Sequence, residues 1–219
     1  MKRLVISSFT RISSIPVFLI LPLLAFAFLT GCSSGPSTSD NAKPVVKDPE
    51  YVTGRTAFQK MYASARGWQR DAQGYQLESQ FTQDFHGKDG KSGLWRGSFG
   101  SATQRTSKTY TWSGSNASDA PERGITPSPE DSFSPTNTST HAFDMAFLKI
   151  DSDQALAVAL KHGGDKLMVK DANQPVLYRL NWATAENMLV WHVMFGASSS
   201  EVKLNVIVNA STGDFVRAE

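Results

Sequence analysis

The stretch Ile150-Asp-Ser-Asp-Gln-Ala-Leu-Ala-Val-Ala-Leu-Lys-His-Gly-Gly164 decides the fold of this chain. Asp151 can cap a helix, and Gln154 follows it at the spacing of a capping box. The apolar residues behind them lie almost all round the helix, which indicates that the helix is buried. The pair Gly163-Gly164 is a typical helix end. The sequence therefore predicts one buried helix over Asp151–Gly164.

Segments with the residue pattern of β-strands flank this helix. Three follow it, and a turn at Thr212-Gly213-Asp214 separates them from a short last strand at Phe215-Val216. Phe143 to Ile150, ahead of the helix, is also predicted to be strand-like. The three strands after the helix are Val176–Trp182, Met188–Phe195 and Val202–Val208.

An earlier part of the chain repeats this plan of one helix and three strands. Thr53 to Arg66 carries apolar residues three and four positions apart, which predicts an amphipathic helix. The peptide from Leu94 to Ala102 is similar to that from Val190 to Ser198, with Trp95 and Trp191 at the same place. Two unrelated aromatic hairpins would give a similar short match. The predicted strands of this half are Tyr75–Phe81, Leu94–Phe99 and Thr106–Trp112.

These patterns predict an α+β fold of two tandem α-β-β-β units, each a helix packed on an antiparallel sheet. Residues 51–112 are the first unit and residues 143–219 the second. Residues 113–142 are rich in Ser, Thr, Asn, Pro and Asp. A polar composition of this kind predicts a linker between the units that can drape over the surface.

Residues 1–31 have the parts of a bacterial signal peptide. A basic start is followed by an uncharged apolar run from Ile15 to Phe28. This run is shorter than the ~20 residues that a membrane-spanning helix needs. Leu29-Thr30-Gly31-Cys32 then resembles a lipobox, which implies cleavage before Cys32 and attachment of lipid to that residue. The alternative is an ordinary secretory signal followed by an incidental cysteine.

The lipobox resemblance implies a lipid-anchored protein of the cell envelope. Ser33 follows the cysteine, and by the sorting pattern of such lipoproteins the absence of Asp there implies the outer membrane, if the host has one. The protein could then lie on either the periplasmic side or the outer surface of that membrane. Residues 32–50 are polar and rich in Ser and Pro, so we expect a flexible tether between the lipid and the folded part.

Charge and motif content exclude several classes of function. Loss of Lys2, Arg3 and Arg11 with the signal peptide lowers the formal net charge from +2 to −1. A nearly neutral surface has no electrostatic footprint for nucleic acid. The single cysteine cannot form an internal disulfide. The sequence lacks the common hydrolase, zinc-protease and phosphate-loop motifs, so we expect no enzyme activity, no cofactor and no metal site.

Four motifs of the second half are typical of one known family: Ile150-Asp-Ser-Asp-Gln-Ala-Leu-Ala-Val-Ala159, Leu177-Tyr-Arg-Leu, Leu189-Val-Trp-His-Val and Val206-Ile-Val-Asn-Ala-Ser-Thr-Gly-Asp. Through them, residues 150–216 resemble the PepSY family, although Asn209 stands where members of the family usually have Asp. The resemblance implies a cystatin-like helix on a sheet, outside the membrane, non-catalytic, and linked to peptidase inhibition or localisation. Lys149-Ile-Asp-Ser-Asp-Gln-Ala and His162-Gly-Gly are also similar to uncharacterised envelope lipoproteins.

The predicted second sheet is apolar on the face away from its helix, where an antiparallel sheet usually meets water. Bare apolar patches mark interaction sites, so either Ser113–Phe147 covers this face or a partner does. In the second case His192, Met194 and Arg179 are the predicted protein-binding residues. A strand histidine without a catalytic neighbour is otherwise structural. The apolar residues of this face, together with the histidine, are Leu177, Val190, His192, Met194 and Ile207.

The function predicted from these patterns is that of a lipid-anchored, non-catalytic binding module of the cell envelope. Its partners would be the membrane, through the lipid, and an unknown protein or peptide, with peptidase inhibition as one form of that binding. The alternative is a structural accessory lipoprotein of outer-membrane assembly or maintenance. An enzyme is the least favoured reading, because no catalytic motif is present.

Overall fold

The computed structural model describes residues 48–83, 87–198 and 200–219. They form a mixed α+β fold with one large antiparallel sheet and few helices. The predicted signal peptide, Cys32 and most of the tether lie outside the described residues. Within the described ranges, no helix has the length and apolar content that crossing a membrane requires.

Ten strands and three α-helices make up the described chain. The elements of the first half are β1 (Val52–Thr53), α1 (Gly54–Trp68), β2 (Gln73–Ser79), β3 (Lys91–Ser92), β4 (Leu94–Ser101), β5 (Thr106–Ser113) and β6 (Gly124–Ser132). Those of the second half are α2 (Ser152–Ala159), α3 (Asp165–Lys170), β7 (Val176–Ala183), β8 (Met188–Phe195), β9 (Leu204–Asn209) and β10 (Phe215–Ala218).

Strands from both halves join in one eight-stranded antiparallel sheet of order β10-β9-β8-β7-β2-β4-β5-β6. The two central strands are β2 and β7, the first long strands of the two halves, which pair with each other. The later strands of each half follow outward from them. The two predicted sheets are therefore a single sheet. The small pair β1–β3 lies apart from it.

The core lies on one face of this sheet, under the helices. Helix α1 buries its predicted apolar stripe, and α2 buries Ala155, Leu156 and Ala159. Trp95 on β4 and Trp191 on β8 are both fully buried beneath them. Large aromatic side chains bury the most apolar area per residue, so this layer supplies most of the packing energy. We call the other side of the sheet the outer face.

The predicted helix over residues 151–164 is interrupted, although its start is as expected. Asp151 and Gln154 form the capping box. A π-helical turn, Leu160–Gly164, then follows α2, and Gly163 in it has a φ of 110°. A Cβ on Gly164 would lie 2.2 Å from the Phe195 ring, so the backbone approaches the sheet closely there. The glycines thus turn the chain, and α3 continues beyond them.

One prediction about the middle of the chain is wrong. Phe143 to Ile150 is not a strand: it makes one isolated bridge, from Phe143 to Gly74, and a short 3₁₀ turn over Met145–Phe147. Asp144 caps that turn through the backbone amide of Ala146, a local bond that competes with strand pairing. The predicted linker, residues 113–142, contains the strand β6.

Candidate functional site

The sheet divides on its outer face where β2 and β7 diverge. Their ladder spans three residue pairs, from Gln76–Asn181 to Glu78–Arg179. At the next position the Tyr178 amide donates to the Ser79 side-chain Oγ, at 2.9 Å, instead of to a backbone carbonyl. A side chain therefore separates the two strands at this point, and a groove opens beside it.

This outer-face groove has a volume of about 410 Å³. That is near the lower end of the range for small-ligand sites, which is ~300–1,000 Å³. Apolar side chains of both halves meet in it, including Phe81, which is 42% exposed. Its lining residues are Glu78, Ser79, Gln80, Phe81, Leu177, Arg179, Met194, Ala197 and Ser198.

Arg179 is the cation of the groove. Glu78 lies opposite it on β2, but each oxygen of that carboxylate already accepts from a glutamine amide, of Gln76 at 3.1 Å and of Gln80 at 3.0 Å. The Arg179 Nε lies 3.6 Å from Glu78 Oε2, beyond hydrogen-bond distance, and is buried with no hydrogen-bond partner among the described residues. Arg179 and Glu78 therefore form an ion pair, while the Nε donor itself is buried and unpaired, which is costly.

His192 lies beside Arg179, on the neighbouring strand β8. Its Nδ1 lies 3.3 Å from the Asn205 side-chain nitrogen, which is also 3.3 Å from Glu219 Oε2. Burial, and then the positive charge of Arg179, lowers the pKa of His192 below its ordinary value of 6.5. Charging a half-buried imidazole next to a guanidinium is unfavourable, so His192 is neutral at pH 7.

The structure brings two of the three predicted binding residues together. Arg179 and Met194 line the groove, whereas His192 is next to Arg179 but outside the lining. Met194 is only 8% exposed. Val190 and Ile207, predicted as part of the same apolar face, are buried and unavailable to a partner.

The segment Ser113–Phe147 does not cover the groove, since none of the described lining residues belongs to it. Its strand β6 pairs with β5 at the far edge of the sheet. Phe133 from this segment packs on the outer face of the first half instead, against Gly100 and Tyr75. Of the apolar groove residues, Phe81 is exposed and Leu177 is half-buried, whereas Met194 is buried.

Sequence reasoning missed Phe81 as a groove residue. The alternation pattern assigned Tyr75, Leu77 and Phe81 to one face of β2. A register shift between Gly74 and Gln76 breaks that alternation at Tyr75, which stacks on Phe133 outside while Leu77 is buried in the core. Strand β2 ends at Ser79, so Phe81 lies beyond the strand and does not keep the face of Leu77. A glycine at the start of a strand is the only local signal for such a bulge.

Metal binding has no candidate site in the part of the chain that the structure describes. No group of three or more His, Cys, Asp or Glu side chains is placed to hold an ion there. Outside the groove, hydrogen bonds from the Thr103 amide and the Ser101 hydroxyl lower the pKa of the Asp71 carboxyl to about 2. That carboxylate ties the β4–β5 turn to the loop after α1.

Comparison with known proteins supports the fold. No family model matches the sequence, and no curated protein matches it significantly. The structure is similar to the crystal structure of a protein from Clostridium difficile 630 that carries a provisional lipoprotein name, with a TM-score of 0.51 and 10% identity. The match covers 80% of this chain and 95% of that chain. At this identity the likeness concerns the fold alone, and the PepSY and lipobox resemblances stay predictions.

Proposed function

We propose that this chain is a lipid-anchored, non-catalytic module of the cell envelope that binds a protein or peptide in the outer-face groove. The lipobox-like Leu29-Thr30-Gly31-Cys32 and the polar tether behind it support the anchor. A provisional lipoprotein name on a protein of the same fold agrees with this placement. The expected location is the outer membrane where the host has one.

The observation that carries the binding function is the groove between β2 and β7. It combines the Arg179–Glu78 ion pair with the apolar side chains of Phe81, Leu177 and Met194. Binding sites typically consist of an apolar surface with a few polar groups that fix orientation. The groove is more polar than that, since five of its nine described lining residues are polar and four are apolar, and it faces away from the helices.

We also propose that the two halves arose by duplication of one α-β-β-β unit. Trp95 and Trp191 occupy the second long strand of their halves. The Trp95 indole donates to the Val52 carbonyl at 3.1 Å, and the Trp191 indole to the Ile150 carbonyl at 2.9 Å. Each acceptor lies two residues before the helix of its own half, which supports a common ancestral unit and a PepSY-like second half.

Anchoring is tested by metabolic labelling with radioactive palmitate. The wild-type protein should be processed, labelled and recovered with membranes, because more than one acyl chain gives stable attachment. Cys32→Ser should accumulate as an unlabelled precursor. Release of the wild-type protein in soluble, unlabelled form would exclude the lipoprotein assignment.

Binding is tested by photocrosslinking in cells, with a crosslinking amino acid at Phe81 in the groove. The same amino acid at Ala157, which is exposed on α2, serves as the control position. Arg179→Gln, at a half-buried position of the groove, should weaken the crosslink at Phe81 while the melting temperature stays close to wild type. A peptidase as the dominant partner supports an inhibitory role, whereas an outer-membrane assembly complex supports the structural alternative. Equal adducts from both positions would refute the groove as the binding site.

A further inference from the structure

A row of side-chain contacts crosses the outer face from β8 to the edge strand β10. The side-chain nitrogen of Asn205, on β9, lies 3.3 Å from His192 Nδ1 and 3.3 Å from Glu219 Oε2. The backbones of Asn205 and Glu219 also exchange two hydrogen bonds of 2.9 Å. Glu219 directly follows β10, a strand of four residues at the edge of the sheet. A short edge strand opens more readily than a central one, so single contacts affect how firmly it is held.

The order of these contacts assigns the hydrogen atoms of the row. An ionised carboxylate can only accept, so the Asn205 atom that faces Glu219 has to be the amide nitrogen. The same nitrogen faces His192 Nδ1, which therefore accepts as well and carries no proton. The proton of the neutral ring then lies on Nε2. The Asn205 Oδ1 is buried without a hydrogen-bond partner among the described residues. The row as it stands thus requires a neutral imidazole.

The charged groups around His192 come from the strands on both sides of it. Arg179 of β7 faces the ring, and so do Arg217 of β10 and Glu219 behind it. Arg217 is ion-paired with Glu219 and with Glu186 of the β7–β8 turn. The hydrogen bond from Arg217 lowers the pKa of Glu219 below its ordinary value of 4.5. That carboxylate therefore stays ionised over the pH range in which histidines titrate, and His192 is the group that acid changes.

We propose that His192 and Asn205 form a pH-sensitive latch that holds β10 on the sheet and releases it in acid. A proton on Nδ1 would meet the Asn205 amide nitrogen, and two donors repel, so the amide has to turn and present Oδ1 to the ring. That oxygen then also faces the Glu219 carboxylate, and the hydrogen bond between the two side chains is lost. In the released form the ring regains water and binds a proton more readily, so falling pH favours release.

Release of β10 uncovers the edge of β9. An uncovered edge carries unpaired N–H and C=O groups, which accept strands from other chains. Val206, Ile207 and Val208 of β9 are fully buried, so this edge is apolar on both faces. The strand at the opposite edge, β6, contains no histidine and serves as an internal reference. The latch is independent of the proposed anchor and of what binds in the groove.

The test is hydrogen–deuterium exchange of the full-length protein in lipid nanodiscs, read by mass spectrometry at a series of pH values from about 7.5 to about 4.5. Each rate is divided by the intrinsic rate of the unfolded peptide at the same pH, so that protection alone is compared. Peptides that cover β10 should lose at least about tenfold in protection on acidification, as expected when a hydrogen bond to a charged group is lost. Peptides that cover β6 should stay within about threefold.

Two variants of the latch and one control assign the effect. His192→Gln cannot take up the proton, so β10 should keep its protection over the whole pH range. Asn205→Ala removes the contact to both neighbours, so the protection of β10 should be low at every pH and should not respond to acid. His141→Gln changes an exposed histidine outside the latch and should behave as wild type.

Selective labelling of histidine with ¹⁵N reads the protonated ring nitrogen in the same protein. The His192 ring should carry its proton on Nε2 alone at about pH 7.5. A proton on Nδ1 at that pH, equal loss of protection in β10 and β6, no loss in wild type, or an undiminished loss in His192→Gln would each overturn the inference. None of these results bears on the labelling of Cys32 or the crosslink at Phe81, which test the proposed function separately.

Discussion

The backbone amide of Gly54 donates to the side-chain Oγ of Ser152 at 2.8 Å, although 98 positions separate them. The next amide, of Arg55, donates to Asp151 Oδ1 at 2.8 Å. Thr53, the residue that precedes α1, makes no side-chain cap hydrogen bond of its own. The residues that open α2 therefore also cap α1, and they join the two helix starts above the central strands.

Ser152→Ala should destabilise the protein by about 1–3 kcal/mol, because it leaves buried backbone groups unpaired. The hydroxyl accepts from Gly54 and donates to the Gly90 carbonyl at 2.6 Å, so one substitution breaks both hydrogen bonds. Urea denaturation measures the effect. Ser139→Ala, at an exposed position, is the control and should change the free energy of unfolding little. Equal values for the two variants would contradict the shared cap.

Two glycines of α1 should respond to alanine with opposite signs. A Cβ on Gly54 would lie 2.4 Å from Trp191 Cη2 and 3.1 Å from Trp95 Cη2, so Gly54→Ala should cost roughly 1–3 kcal/mol through overpacking. A Cβ on Gly67 meets nothing within 4 Å, and alanine there should stabilise the helix by up to about 1 kcal/mol. Thermal melts of both variants test the pair. Stabilisation by Gly54→Ala would show that Trp95 and Trp191 do not pack directly against this residue.

Local sequence patterns predicted most of the helices and strands, because a capping box or an alternating strand pattern involves only residues close together in the chain. Met188–Phe195 is β8 with the same bounds, and the capping box of α2 is present. Strand β6 escaped prediction, since it is an edge strand with little buried surface and two prolines, Pro127 and Pro129. Prolines argue against a central strand, yet an edge strand tolerates them.

The groove and the shared cap could not be predicted from local patterns, because both depend on contacts between distant parts of the chain. Arg179 and Met194 were named from the apolar face of one half. Their partners Glu78 and Phe81 come from the other half, and only the β2–β7 pairing brings them together. No spacing within either half indicates that pairing.

A charged side chain on helix α2 should destabilise the protein only where it faces the sheet. Ala159 is fully buried against the core, so Ala159→Glu should cost about 2 kcal/mol or more through desolvation of an unpaired carboxylate. Ala157→Glu places the same side chain on the exposed side of the same helix. Its free energy of unfolding in urea should stay within about 0.5 kcal/mol of wild type. Similar losses in both variants would show that helix propensity, and not burial, sets the effect.

The stability of the protein should fall between about pH 7.5 and pH 5 in a manner that depends on His192. Burial first, and then Arg179, lowers its pKa in the folded state, with Arg217 acting in the same direction and Glu219 and Asn205 against it. The unfolded state therefore binds a proton at a higher pH than the folded state does. Stability is fully present above the unfolded pKa of about 6.5 and is lost as the pH falls through the folded value.

His192→Gln removes this proton linkage, so the free energy of unfolding of the variant should decline less over the same pH range. His141→Gln changes an exposed histidine outside the groove and is the matched control, which should keep the wild-type decline. Urea denaturation at a series of pH values measures all three proteins. If wild type and His192→Gln lose stability in parallel, protonation of the His192 imidazole is not what lowers the stability between about pH 7.5 and pH 5.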